Sequence, residues 1–437
     1  MKKLAVFSVL LLLLSACGAV GDDLLRLPRQ PKDFLKLQQK IDVLILNGGE
    51  YSPPVSGSHR QSQQTVDFTG NGVPEALVFL RFPGEKPLRI YIYQLEGDDY
   101  KEMDMISGDA ESIDAIYYAD LDGDGLPELL VGWCVGTLKT LSVYKLTDGI
   151  MTEILSVSYD ELIVFDLRGT RRDDLIVFNH DEVNFTGTAQ LYYYEDKRML
   201  PLPAAPFSNG VQLISRTLTG FLSDNIPALY VASKLDQNTI VTDIFAFRDG
   251  HLFNVSLNPE SEVSNGTIRN AAIYAADIDL DGVIEMPAVS PLPGYGDTAD
   301  NDVYWLTDWR AYDAYGYTEH KMTTYYCQTD GWYIRLPDEW LGCFTVTSRE
   351  VSGTVSATTL AYIPDNENLI DICIVYCTTG DSRSLQPPDR FRVGEKADTV
   401  YAVKLLPGNE DTLGFDENTF TDIFRLISNR WITGEIE

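Results

Sequence analysis

The sequence predicts a mainly β protein, with a β-propeller of about five to seven blades followed by a small α+β domain. Two observations support the propeller: an acidic turn recurs along the chain, and a short apolar run follows each copy. The copies start at residues 67, 120, 166, 220 and 277. A period near 50 residues with several β-runs per unit is typical of propellers and related repeat arrays.

The five detectable copies of the turn differ in completeness. The fullest ones span residues 120–128 (DLDGDGLPE) and 277–285 (DIDLDGVIE), and an earlier one spans residues 67–75 (DFTGNGVPE). The copies starting at Asp166 and Gly220 lack most of the acidic residues. In the second unit we predict strands over residues 129–133, 138–146, 154–158 and 162–165, which gives the four strands of a propeller blade.

With these motifs the chain resembles the FG-GAP/VCBS repeat family, whose repeats build integrin-α-like propellers. The resemblance covers roughly residues 64–310 and includes uncharacterised VCBS-repeat lipoproteins of Gram-positive bacteria. It implies a propeller, and it supplies no reaction that could be transferred to this chain.

The N-terminus has the features of a bacterial lipoprotein signal. Lys2 and Lys3 precede an apolar run over residues 4–14, which is too short for a mature membrane span. The run ends in Leu-Ser-Ala-Cys at residues 14–17, which looks like a lipobox. We therefore expect Cys17 to carry a lipid and to anchor the chain to the outer face of the cytoplasmic membrane, at the cell surface.

The predicted domain organisation has four segments. They are a signal peptide and lipobox (1–17), a tether and helix (18–63), the propeller (64–320) and an α+β domain (321–437). Leu37 and Ile41 recur at helical spacing before a glycine stop. In the last domain, residues 344–347, 358–363, 369–377 and 401–406 read as strands. A final helix is predicted with a capping box from Thr419 to Asp422.

A formal charge of −31 restricts the partners of the chain. It argues against nucleic acid, whose phosphates would be repelled, and against an anionic membrane face. It favours divalent cations, or it is simply a solvated surface.

The two fullest turns carry the strongest chemical signal, because alternating acids in a tight loop can direct hard oxygens to one Ca²⁺ ion. The predicted ligands are four side chains and one carbonyl from each turn: Asp120, Asp122, Asp124, Leu126 (carbonyl) and Glu128, and Asp277, Asp279, Asp281, Val283 (carbonyl) and Glu285. The turn at 67–75 is a weaker candidate, with Asp67, Asn71 and Glu75. The alternative is that these acids only form Asx-turn hydrogen bonds. An EF-hand is excluded because the closing acid is at position 9 and β-like sequence flanks the loop.

Two further features bear on function. An aromatic-rich stretch over residues 304–333 is interpreted as packing, with a sugar or peptide platform as the alternative.

No H-E-x-x-H or G-x-S-x-G motif occurs, and no histidine has a catalytic context. We therefore expect a non-enzymatic lipoprotein with a calcium-stabilised propeller that presents a protein- or glycan-binding surface. The alternative is an extracytoplasmic polysaccharide lyase or hydrolase built on the propeller.

Four cysteines lie in the last domain: Cys327, Cys343, Cys373 and Cys377. Because Cys373 and Cys377 are four residues apart on a predicted strand, about 13 Å separates them, and we expect no bond between them. Cross-strand bonds to Cys327 or Cys343 remain open, as does the alternative that all four are buried thiols.

Overall fold

The computed structural model describes residues 32–295, 303–363, 369–384, 387–407 and 416–427. The predicted signal peptide and Cys17 lie outside these residues. No helix in the described part of the chain has the length and apolarity that a bilayer span requires.

The prediction of a mainly β protein is confirmed. The described strands form several antiparallel sheets, and these residues show no closed barrel or propeller, so the closed arrangement remains a prediction. The chain divides into two compact units: residues 1–117, 126–137 and 143–153, and residues 118–125, 138–142 and 154–437.

The first three sheets follow one another along the chain. The first has the order β1-β3-β4-β5, with β2 also pairing to β3: β1 (Glu50–Tyr51), β2 (Gln63–Val66), β3 (Glu75–Arg81), β4 (Leu88–Glu96) and β5 (Asp99–Gly108). The second has the order β6-β7-β8-β9: β6 (Ser112–Ala119), β7 (Glu128–Val135), β8 (Leu138–Thr147) and β9 (Ile150–Tyr159). The third has the order β10-β11-β12-β13, with β14 also pairing to β12: β10 (Glu161–Phe165), β11 (Asp174–Asp181), β12 (Thr186–Glu195), β13 (Arg198–Pro201) and β14 (Ala205–Pro206).

Three more sheets complete the described β-structure. The fourth has the order β15-β16-β17-β18: β15 (Leu213–Phe221), β16 (Pro227–Lys234), β17 (Ile240–Arg248) and β18 (His251–Asn254). The fifth has the order β19-β20-β21-β22-β28: β19 (Glu285–Pro291), β20 (Trp305–Tyr312), β21 (Thr318–Cys327), β22 (Trp332–Arg335) and β28 (Phe424–Leu426). The sixth has the order β23-β24-β25-β27-β26: β23 (Phe344–Ser352), β24 (Val355–Tyr362), β25 (Ile370–Thr379), β26 (Phe391–Lys396) and β27 (Thr399–Leu405).

The prediction that residues 162–165 form the fourth strand of the second sequence repeat is wrong. Residues 162–165 belong to β10 and open the third sheet, where Phe165 pairs with Asp174 across the acidic turn. The second sheet instead begins with β6, before its turn. The reason is that the acidic turns at residues 120–128 and 166–174 each join the first and second strands of a sheet, so these two sheets start one strand before their motifs.

The N-terminal helix, α1 (Lys32–Leu46), is confirmed. Its buried residues Leu37 and Ile41 pack in a cluster with Ala76 and Val78 of β3. On the same helix, Lys40 Nζ lies 3.1 Å from a carboxylate oxygen of Asp99. The helix is thus held on the first sheet mainly by apolar contacts.

The last helix differs from its prediction. Helix α2 (Glu417–Ile423) is capped by Asp416, whose side chain accepts the Thr419 N–H at 2.8 Å, so Thr419 is not the cap. The chain then leaves the helix, and β28 pairs with β22. Phe420 and Phe424 are buried in the core shared by the fifth and sixth sheets. The fifth sheet continues past the predicted domain boundary at residue 320, which falls inside β21.

The strand assignment on which the cysteine prediction rests is confirmed. Cys373 and Cys377 both lie on β25, both are buried, and both are free thiols. Burial raises the pKa of each thiol. Cys327 and Cys343 are free thiols as well.

Candidate metal centre

The acidic turns occupy equivalent places in successive sheets. Loop 1 (67–75) joins β2 to β3, loop 2 (120–128) joins β6 to β7, and loop 3 (166–174) joins β10 to β11. Loop 4 (220–224) ends β15 and leads into β16. Loop 5 (277–285) is framed by a β-bridge between Ala276 and Glu285, at the start of β19. The repeat seen in the sequence is therefore a repeat of structural position.

Loops 1, 2, 3 and 5 also share a backbone conformation. Their fourth residue has φ between 64° and 81° and their sixth has φ between 63° and 94°: Gly70 and Gly72, Gly123 and Gly125, Gly169 and Arg171, and Leu280 and Gly282. Left-handed φ favours glycine, so Leu280 and Arg171 adopt it at a steric cost. The loop form is therefore kept even where glycine is absent.

The first aspartate of each loop anchors the turn through backbone amides. Asp120 accepts the N–H groups of Gly123 (2.7 Å) and Gly125 (3.0 Å). Asp67 and Asp166 accept two amides each in the same way. At Asp67 these bonds lower the pKa although desolvation opposes them. The Asx-turn alternative thus correctly describes part of what these side chains do.

The ninth residue of each of these loops is a buried acid that opens the next strand. Glu75, Asp174 and Glu285 are fully buried, and Glu128 is 1% exposed. Glu75 accepts the Phe68 N–H at 2.8 Å, and Glu285 accepts the Ile278 N–H at 3.0 Å. These bonds close the loop, and they leave the second oxygen of each carboxylate to be satisfied.

Three of the four loops satisfy that second oxygen with a side chain. In loop 1 the Thr69 hydroxyl donates to Glu75 Oε1 at 3.1 Å. In loop 2 the partner of Glu128 Oε1 is Lys145 Nζ, at 3.0 Å. In loop 3 the partner of Asp174 Oδ1 is Arg168 Nε, at 2.6 Å. Lys145 and Arg168 were not singled out from the sequence.

Loop 5 is different. Within the described part of the chain, the buried carboxylate oxygens without a hydrogen-bond partner are Asp277 Oδ1 and Glu285 Oε1. Asp277, Asp279 and Glu285 each place one oxygen within 4.8 Å of the others. Burying carboxylate oxygens without hydrogen-bond donors is costly. A hard cation bound by the three converging oxygens would offset that cost.

Electrostatics at loop 5 agrees with this geometry. Burial, followed by repulsion from Asp279, Asp281 and Asp277, raises the pKa of Glu285 to about 8, although the bond from the Ile278 N–H lowers it. Burial and Asp281 also raise the pKa of Asp279. Several acids thus lie close together at this loop, and within the described residues no side chain bonds to Glu285 Oε1.

The remaining predicted ligands are placed as follows. In loop 2, Asp120, Asp122 and Glu128 also form an oxygen cluster within 4.8 Å. Asp281 Oδ1 accepts the Val283 N–H at 2.8 Å, and Asn71 Oδ1 accepts the Val73 N–H at 2.7 Å. The acidic clusters contain neither Asp124 nor Asp281. Of the two hydrophobic positions, Leu126 places its side chain against Gly70 of loop 1, and Val283 forms a parallel backbone bridge with Phe221.

Packing fixes the position of loop 5. Ile278 lies in a buried cluster with Trp309 and Tyr333, and the Tyr333 hydroxyl donates to the Ile278 carbonyl at 2.7 Å. A second tyrosine, Tyr230, donates to the Ile284 carbonyl at 3.2 Å. The carboxylates therefore stand on a rigid support.

The aromatic stretch is largely core. Trp309 and Trp332 are fully buried and Tyr325 is nearly so, which agrees with the packing interpretation. Tyr315 and Tyr317 differ, with 64% and 75% of their surface exposed. Asp313 Oδ1 accepts the backbone N–H of both, so their turn is ordered.

A scan against protein-family models and a search of curated proteins found no match to this chain.

Proposed function

We propose that this chain is a non-enzymatic extracytoplasmic lipoprotein whose propeller is stabilised by a divalent cation, Ca²⁺, and presents a binding surface for a protein or a glycan. The observation that carries the cation part is the pair of buried, unpartnered oxygens on Asp277 and Glu285. Oxygen ligands from carboxylates suit Ca²⁺, and Asp279 supplies a third. The binding-surface part rests on the exposed Tyr315 and Tyr317, which sit on an ordered turn.

Contacts between consecutive loops support the propeller. A Cβ built on Gly70 would meet Leu126 of loop 2 at 2.9 Å, and one on Gly123 would meet Arg172 of loop 3 at 2.2 Å. Gly169 likewise faces Pro227, at the start of β16. Phe221 forms a parallel bridge with Val283 of loop 5. Loop 1 thus contacts loop 2, loop 2 contacts loop 3 and loop 4 contacts loop 5, as expected when similar sheets follow one another around an axis.

Calcium titration calorimetry on the wild type and on Asp279→Asn tests the cation site. Wild type is expected to bind, and Asp279→Asn is expected to lose affinity at least about tenfold, because an amide removes one charge from a three-carboxylate site. Asp236→Asn is the control, since Asp236 also accepts backbone amides in an exposed turn but lies in no acidic cluster. Equal affinity in all three proteins, or no binding by the wild type, contradicts the proposal.

The extracytoplasmic, lipid-anchored location rests on the lipobox at residues 14–17. Replacing Cys17 with alanine is expected to abolish incorporation of radiolabelled palmitate and to release the protein from the membrane fraction. A Cys134→Ala variant controls for general loss of a thiol. A Cys17→Ala protein that stays in the membrane and still takes up label would refute the anchor.

A further inference from the structure

We propose that Arg168 and Lys145 are built-in replacements for the metal ion, so that the acidic loops of this chain hold one exchangeable cation, at loop 5, and not two or three. The inference rests on the proposed cation site at loop 5 and assigns the other loops a different counterion. It follows from a comparison of four loops that share one backbone form but neutralise their ninth residue differently.

Loop 3 shows the replacement within the loop itself. Arg168 is its third residue, the position of Asp122 in loop 2 and Asp279 in loop 5. Both its backbone N–H and its guanidinium bond to Asp174, at 2.9 Å and 2.6 Å. Asp174 is fully buried and Arg168 is 12% exposed, so the pair is shielded from water. A permanent cation therefore lies where loop 5 has a carboxylate.

In loop 2 the cation that pairs with the buried acid is a lysine from a neighbouring strand. Lys145, on β8, places its ammonium 3.0 Å from Glu128 Oε1, and the two side chains are 18% and 1% exposed. The corresponding oxygen of loop 5, Glu285 Oε1, has no hydrogen-bond partner. A metal ion at loop 2 would have to share Glu128 with this ammonium, and the two positive charges would repel each other.

Lys145 at loop 2 and Arg168 at loop 3 differ in whether their loop could still bind a metal ion. Asp174 keeps two bonds from Arg168, and loop 3 offers no acid at its third or fifth position, so loop 3 has no latent site. In loop 2 the oxygens of Asp120, Asp122 and Glu128 remain clustered. Lys145 is accordingly the residue that competes with a metal ion for Glu128 in loop 2.

Native mass spectrometry with added calcium counts the bound ions. Wild type is expected to bind one ion, Glu285→Gln none, and Lys145→Met two. The double variant Lys145→Met/Glu285→Gln is expected to keep one ion, now at loop 2. Lys145→Gln, which retains a donor for Glu128, serves as a second variant in case the methionine impairs folding. Lys404→Met is the matched control, because Lys404 pairs with Asp389 on the surface, at 2.6 Å.

The outcomes separate this inference from the proposed function. A wild type that binds no calcium refutes the cation site itself. Two or more ions in the wild type refute the replacement by Lys145 and Arg168 while the cation proposal stands. One ion in the wild type and still one in both Lys145 variants refutes the role of Lys145 alone.

Discussion

Calcium is expected to stabilise the wild-type chain and to leave a Glu285→Gln variant almost unchanged. At a free calcium concentration 100 times the Kd, one site adds about 2.7 kcal/mol to the free energy of unfolding. Glu285 supplies a fully buried oxygen that lacks a donor in the protein, so the ion satisfies it. Glutamine removes the charge and weakens the site.

The same substitution is informative in chelator. Without the ion, Glu285 lies beside Asp277, Asp279 and Asp281 and is penalised by burial. Above about pH 8, where Glu285 is ionised without the ion, neutral glutamine avoids that repulsion, so the variant is expected to be at least as stable as the wild type in EDTA at such a pH. The two proteins therefore differ in calcium and converge or cross in chelator.

Chemical denaturation in calcium and in EDTA measures both effects. Glu96→Gln is the control, because Glu96 is a half-exposed surface acid paired with Lys101. It should show the full calcium response of the wild type. The account fails if Glu285→Gln keeps that response, or if it is strongly destabilised in EDTA as well as in calcium.

Replacing Asp243 with alanine is expected to destabilise the chain by about 3 kcal/mol or more, because it leaves several buried hydrogen-bond donors without an acceptor. Asp243 is fully buried on β17 and accepts four hydrogen bonds. The donors are the Ser208 N–H (3.0 Å) and hydroxyl (2.7 Å), the Ser264 hydroxyl (2.6 Å) and the Asn254 side-chain amide (2.7 Å). Burial raises the pKa of Asp243 although these bonds lower it.

Asp236→Ala provides the matched comparison. Asp236 accepts the N–H groups of Asn238 and Thr239 and the Thr239 hydroxyl, but its turn is exposed and water can replace the carboxylate. Its loss is expected to cost about 1 kcal/mol or less. Urea denaturation of both variants gives the comparison, and similar losses at the two positions would show that burial of the Asp243 network is not what stabilises it.

The sequence was sufficient for the parts of the fold that depend on local patterns. The acidic turns, the strands that follow them and helix α1 all occur where spacing predicts them. The first strands of the sheets were harder to assign, because β6 carries no motif and the pairing of Phe165 with Asp174 spans a turn. The helical spacing of Phe424 from Phe420 predicts helix for the residues of β28, whereas pairing with β22 makes them a strand.

The residues of the candidate site can be predicted from the sequence. The differences between loops in the partner of the buried ninth residue cannot. The acids at positions 1, 3 and 9 are visible in the sequence, and Arg168 at position 3 of its loop could have been noticed. The Lys145 partner could not be found this way, because it comes from a neighbouring strand 17 residues after Glu128. Two loops of nearly equal sequence thus differ in whether their buried acid already has a counterion.

Terbium luminescence at loop 5 tests whether Asp277, Asp279 and Glu285 bind a cation. Tb³⁺ takes the oxygen ligands of Ca²⁺, and Tyr333, which donates to the Ile278 carbonyl of the loop at 2.7 Å, can transfer excitation to it. Exciting the aromatic residues of the wild type is expected to produce terbium emission that calcium displaces, and Glu285→Gln is expected to lose this emission. Emission of equal strength from Glu285→Gln, displaced by calcium as in the wild type, would contradict the assignment of a cation to this loop.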